Sequence, residues 1–241
     1  MPTNPLSAEI GGLSVNVEAI ADRVARQTDS LPLVFAGLRS DKAKIKFGCL
    51  KVLRIISEKR PALLCPAFDQ LVDLLDSENK ILKWGAIIIL GNLAAVDSEN
   101  KIDGILDRYL EPISGPVLIT AANSIRGAGK IARAKPHLAD KIVRALLRVE
   151  AASYQTPECR NVALGHAVES YDLFVENIRK PQPVVAFVVR QLRNRRNAVK
   201  QKAAAFLKKH KQIAQTGDAA KGRQPIRSRT NRAFSAAGPR R

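Results

Sequence analysis

A small apolar set recurs five times along this chain at positions i, i+4, i+7, i+8 and i+11, with polar or charged residues between its members. The copies are Ile45, Cys49, Val52, Leu53, Ile56; then Leu82, Ala86, Ile89, Leu90, Leu93; then Val117, Ala121, Ser124, Ile125, Ala128. Two looser copies follow as Cys159, Ala163, His166, Ala167, Ser170 and Val199, Ala203, Phe206, Leu207, His210. That spacing puts every member on one stripe of a helix with 3.6 residues per turn, so each copy predicts a helix with one buried face. The first members are separated by 37, 35, 42 and 40 residues. A repeat of that length signals stacked helical pairs, none of which can bury a core alone.

The first helix of each pair is marked by its own apolar group. Leu31, Val34, Phe35, Leu38 corresponds to Phe68, Leu71, Val72, Leu75, and then to Leu106, Tyr109, Leu110. Later versions are Val143, Leu146, Leu147 and Val185, Val188, Val189, Leu192. Polar turns such as Arg39-Ser40-Asp41 and Asp76-Ser77-Glu78-Asn79 supply oxygens for the free N–H groups of the following helix. Asp-Ser-Glu-Asn-Lys occurs twice, at 76–80 and 97–101, and both copies read as helix boundaries. Pro61, Pro66 and Pro136 fall between pairs. Ahead of the repeats, Ser14 can cap a helix running to about Gln27 with Val17, Ile20 and Val24 on one face. The expected organisation is a flexible N-terminus over 1–13, a repeat domain over 14–211 and a basic disordered tail over 212–241. The tail has too little apolar content to offset its chain entropy.

Composition adds bounds. Hydrophobic residues make up 46% of the chain and aromatics 5%, which suits stacked helices filled with Ala, Leu, Ile and Val. No apolar run approaches the roughly 20 residues of a membrane span. No basic segment followed by an apolar one opens the chain, so the expected location is cytoplasmic. Cys49 and Cys159 occupy inward template slots, and three cysteines without paired spacing point neither to a disulfide framework nor to zinc. His137, His166 and His210 lack a ligand partner at helical spacing, so neither a metal nor a cofactor is expected.

The net charge of +18 is unevenly spread. Residues 1–189 hold 24 Lys and Arg against 21 Asp and Glu, whereas residues 190–241 hold 16 against 1. The basic character is concentrated in the last fifth of the chain, which suggests a polyanionic partner.

The turn and second-helix pattern resembles the HEAT-repeat (armadillo-like) family of α-solenoids. The residues that carry it are Leu74-Leu75-Asp76, Ile81-Leu82-Lys83 and Ala86, repeated as Leu38, Asp41, Ile45-Lys46 and Cys49. They return loosely as Cys159-Arg160 with Ala163 and as Val199-Lys200 with Ala203; the third pair departs, with Val117-Leu118 in place of the basic residue. The resemblance implies an all-α, right-handed solenoid of about five HEAT-like helical pairs plus an N-terminal helix.

Candidate site residues follow from slots and charge. Lys46, Lys83, Arg160 and Lys200 share one slot and would form a ladder along one face; the alternative is pairing with acidic turn residues such as Asp41, Asp76 and Glu78. Trp84, with Phe47 one repeat earlier, could anchor a partner or simply pack between repeats. Lys51 and Arg54, and likewise Arg126, Lys130 and Arg133, read as ordinary solvated helix faces. The strongest lead is the C-terminal basic region, represented by Arg193, Arg195, Arg196, Lys208, Lys209 and Lys211, with Arg227 and Arg229 in the tail. No Gly-rich phosphate loop, nucleophile elbow or ordered Cys-His arrangement is present, so no enzyme is expected. The expected function is a non-catalytic scaffold that contacts a protein partner on the solenoid face and DNA or RNA through its basic C-terminus. The resemblance also admits a HEAT-like DNA glycosylase for alkylated bases, from which the chain departs in its sparse aromatics. It further admits a HEAT-type chaperone or lyase acting on a partner protein.

Overall fold

The computed structural model describes residues 5–12 and 15–213. Among them are twelve α-helices and no strand: α1 (Pro5–Ile10), α2 (Val17–Arg26), α3 (Leu31–Gly37), α4 (Ala43–Lys59), α5 (Phe68–Asp73), α6 (Lys80–Leu93), α7 (Lys101–Leu110), α8 (Leu118–Ala134), α9 (Ala139–Leu147), α10 (Pro157–Asp172), α11 (Gln182–Gln191) and α12 (Asn197–Lys209). The even-numbered helices carry the fold. α2 packs on α4, α4 on α6, α6 on α8, α8 on α10 and α10 on α12, while α3, α5, α7 and α11 pack on the even helix that follows. The result is an α-solenoid with one core that runs unbroken from Ile10 to Phe206.

The recurring apolar set explains this stack. All ten of its members in α4 and α6 are buried, and Ala121, Ser124, Ile125 and Ala128 are buried in α8. The two looser copies are buried at Ala163, Ala167, Ser170, Val199, Ala203 and Phe206, and partly exposed at Cys159, His166, Leu207 and His210. Full burial of a residue such as Leu53 contributes about 1.5–3 kcal/mol, so the stripe supplies the main attraction between repeats.

The N-terminal region departs from its expected form. Residues 5–10 are helical, Ile10 is buried, and α1 packs on α3 and α4. Pro5 at the first helical position and apolar Leu6 and Ile10 at i, i+4 account for the helix. Ser14 lies outside the described residues; the cap of α2 is Asn16, whose side chain accepts a bond from the Ala19 N–H at 3.0 Å. With Ile20, Ala21 and Val24 buried, α2 behaves as one more stacked helix ahead of the five pairs.

The two Asp-Ser-Glu-Asn-Lys copies do precede helices, but they cap them differently. In the first, Asn79 Oδ1 accepts from the N–H groups of Ile81 and Leu82 at 3.0 and 3.2 Å. In the second, Asn100 adopts a left-handed conformation (φ 56°), and Asp97 accepts from Lys101 and Ile102 at 2.9 and 3.0 Å. The difference comes from Lys135 at the end of α8. Its ammonium lies 3.1 Å from Asp97 Oδ2, with both side chains 5% exposed, and donates to Asn100 Oδ1 at 2.6 Å and to the Asp97 carbonyl at 2.8 Å.

Where α6 meets α8, Gly91 and Gly127 face each other. A Cβ on Gly127 would fall 1.7 Å from the Tyr109 hydroxyl, which donates to the Ile87 carbonyl at 2.8 Å. Tyr109 is fully buried, so its hydroxyl needs that acceptor, and only glycine leaves room for it.

Candidate functional site

Each even helix buries its stripe and presents the opposite face outward, so the stack exposes one continuous surface. Lys46, Lys83, Arg160 and Lys200 are each the fourth residue of their helices, α4, α6, α10 and α12. The ladder has a gap at α8, where Leu118 holds the equivalent slot. None of the four ladder residues makes an ion pair among the described residues. Asp76 is occupied instead by Arg108 of the next repeat, with Nη2–Oδ2 at 2.5 Å and Nε–Oδ1 at 3.1 Å, and Arg108 also donates to the Val72 carbonyl. Lys83 borders a shallow depression with Glu78, Glu111, Pro116 and Thr120.

Trp84 is half-buried, and its indole N–H donates to Thr120 Oγ1 at 2.8 Å. One edge of the ring thus ties α6 to α8. Ile119, beside Thr120, is 52% exposed, the most exposed of the large hydrophobic residues among those described. Phe47, Trp84 and Ile119 occupy the same register position on α4, α6 and α8 and give this end of the face an apolar stripe.

The C-terminal basic region divides into two groups. Arg190 holds Glu150 through two bonds of 2.9 and 2.7 Å, joined by Gln191. Arg196 pairs with Glu158, Lys202 with Glu169 at 2.8 Å, and Lys209 with Asp172 at 2.9 Å. His210 Nε2 reaches the other oxygen of Asp172 at 2.6 Å. These cations bind the last repeat to the one before it. Burial opposes ionisation of Glu169 and Asp172, but hydrogen bonds from Lys202 and His166 to the one, and from His210 and Lys209 to the other, hold both pKa values below normal. Arg193, Arg195, Lys200, Lys208 and Lys211 are exposed and make no ion pair among the described residues. Arg227, Arg229 and the rest of 214–241 lie outside the described residues.

A second group of cations without ion pairs among the described residues lies on α4 and α8, in residues that the sequence presents as solvated faces. Lys130 is half-buried and donates to Asn92 Oδ1 at 2.6 Å; Asn92 Nδ2 donates to Ser57 Oγ at 2.9 Å, linking α8, α6 and α4. Burial lowers the Lys130 pKa, Glu58 opposes the shift, and the fields of Arg133, Arg126 and Arg54 lower it further. Lys130 and Arg133 line a depression of about 440 Å³ with Ser57, Glu58, Gly91 and Asn92. Arg126 reaches His166 Nδ1 at 3.4 Å, and burial followed by the Arg126 charge lowers the pKa of that imidazole. The sequence signal for this cluster is the i, i+4, i+7 spacing of Arg126, Lys130 and Arg133. Its significance depends on Arg54 arriving from two repeats away.

The described residues contain no helix long and apolar enough to cross a membrane. No protein-family model matches the chain, and no curated protein matches it. Among solved structures it is similar to a designed armadillo repeat protein, with 17% identity over 84% of this chain and 89% of that one, at a TM-score of 0.57. It is also similar to an engineered protein at 15% identity, covering 89% of both chains with a TM-score of 0.54. A third similar structure belongs to computationally designed armadillo repeat proteins for modular peptide recognition, at 15% identity over 84% of this chain and 89% of that one, with a TM-score of 0.54. The repeat, the stacked even helices and these likenesses agree on the fold: the chain is an armadillo/HEAT-like α-solenoid.

Proposed function

We propose that the chain is a non-catalytic binding scaffold whose face of even-numbered helices receives a protein partner. The observation that carries this reading is the outward surface of α4, α6 and α8, where apolar and cationic side chains stand side by side on a rigid stack. The likeness to a scaffold described as made for peptide recognition points the same way. Most of the aromatic residues are committed elsewhere, since Phe68, Tyr109, Tyr171, Phe174, Phe187 and Phe206 are buried in the core, which leaves Phe47 and Trp84 on this surface. Hydroxyl-radical footprinting of the full chain, free and with a peptide selected from a random library, tests the reading. Protection of Phe47, Trp84 and Ile119 is the expected result; protection confined to the odd-numbered helices would contradict it.

A second reading, that the C-terminal region adds attraction for nucleic acid, is supported by Arg193, Arg195, Lys200, Lys208 and Lys211, all exposed and without ion pairs among the described residues. Binding of this kind falls steeply with salt. A salt titration with single- and double-stranded oligonucleotides, on the full chain and on a chain ending at residue 213, would show whether the tail or these five residues carry it.

A further inference from the structure

We infer that the surface formed by α4, α6 and α8 takes an extended acidic peptide segment of its partner. This rests on the reading of that surface as protein-binding and adds the chemistry of what it receives.

The charge is uncompensated. Lys51, Arg54, Arg126 and Arg133 are exposed and make no ion pair among the described residues; Glu58 sits beside Lys130, and Glu18 borders Lys51. Lys130 has a neutral amide, not a carboxylate, as its hydrogen-bond acceptor although it is half-buried. A cation partly removed from water and surrounded by like charges is costly, and an arriving carboxylate relieves both penalties.

Apolar surface lies alongside. Trp84 and Ile88 on α6 are half-exposed and one turn apart, and Ile119 on α8 is exposed. An extended peptide directs alternate side chains to opposite sides, so alternating acidic and apolar residues can meet the cations and the apolar stripe together. A phosphate backbone gains nothing from Ile88 and Ile119. The cationic region is also short, ending at α10, where Glu169 is already held by Lys202. Three stacked helices span about 20 Å at usual interaxial distances, about six residues of extended chain.

The test uses the full chain and three fluorescent probes: a peptide alternating Glu and Leu, the same peptide with Gln for Glu, and an oligo-dT strand. Anisotropy titrations should show the acidic peptide binding about tenfold or more tighter than its Gln counterpart. Arg126→Glu/Arg133→Glu should weaken the acidic peptide about tenfold or more, while Arg193→Glu/Arg195→Glu changes it less than about twofold. Should the double reversal fail to fold, as judged by circular dichroism, Arg126→Gln/Arg133→Gln gives the same contrast at reduced size. Equal affinity for the two peptides, indifference to the Arg126/Arg133 changes, or tighter oligo-dT binding through those residues would each overturn the inference. If both peptides bind equally and both are lost in Ile119→Asp, the protein-binding reading survives and the acidic preference falls. If neither peptide responds to Ile119→Asp or to the arginine changes, both fall.

Discussion

Among the described residues, Arg54, Arg126 and Arg133 on α4 and α8 make no ion pair, whereas Arg190 on α11, Arg196 at the start of α12, and Lys202 and Lys209 within it each hold a carboxylate from the preceding repeat. A count along the chain suggests the reverse, a nearly neutral body and a strongly basic end. Part of that asymmetry arises because Glu150, Glu158, Glu169 and Asp172 precede residue 190, so a boundary drawn there separates ion pairs that the fold brings together. The charge available to a ligand is what remains after the repeats have paired with each other. By that measure cations remain at both ends of the comparison, and the α4–α6–α8 surface differs in holding a half-buried lysine, Lys130, with a neutral amide as its acceptor.

The sharpest way to break this contrast is at the buried end of the pairing scale. Asp97→Ala strands Lys135 in the interior and frees two helix N–H groups, so we expect a loss of about 3–5 kcal/mol in urea unfolding. Asp97 also has a defined pH signature. Burial would raise its pKa, but the N–H groups of Ile102 and Lys101 and the Lys135 ammonium outweigh burial and hold it low. A depressed folded pKa gives stability that is present above the usual carboxylate range and lost as pH falls through the folded value. Unfolding midpoints measured across that acidic window should therefore decline less steeply in Asp97→Ala than in the unmodified chain.

Next in size is Gly127→Ala. The added methyl displaces the Tyr109 hydroxyl and pushes α8 from α6, at an expected cost of about 1–3 kcal/mol. Because that approach sets the Asn92–Lys130 contact, the same variant should also weaken ligand binding at the unpaired half. Glu150→Ala removes the acceptor of Arg190 and Gln191, and we expect a loss of about 1 kcal/mol or less, read from thermal melts at low and high salt. Smallest of all, Arg126→Gln/Arg133→Gln should leave stability within about 0.5 kcal/mol, on the stabilising side if relief of Lys130 dominates.

The fold was largely legible because the solenoid repeats one local rule. The apolar set that predicts each second helix is the set the structure buries, most fully in α4 and α6. The reading failed where local sequence underdetermines the outcome. Residues 5–10 look like a frayed end until Ile10 meets α3 and α4, and α2 is recognised as a stacked helix only beside α4. Identical Asp-Ser-Glu-Asn-Lys segments fold differently because one of them faces Lys135, 38 residues beyond Asp97. The candidate surface was less legible for the same reason. Lys46, Lys83, Arg160 and Lys200 share a register and suggest a ladder, and its break at Leu118 is already visible in the chain. Arg54 and Arg126 look like separate solvated faces, and their field meets at Lys130 only once the repeats have stacked. Arg196 and Lys209, prominent in the basic region, turn out to tie α12 to α10.

The central claim is that unpaired cations serve binding and paired cations serve the stack. The most direct test compares Arg126→Glu/Arg133→Glu with Arg190→Glu/Arg196→Glu, measuring thermal stability and acidic-peptide affinity on each full-length chain. The account predicts that the first pair loses the peptide and keeps its melting temperature, while the second melts earlier and, when folded, keeps the peptide. The opposite assignment, with the first pair destabilised and the second deficient in binding, would contradict it.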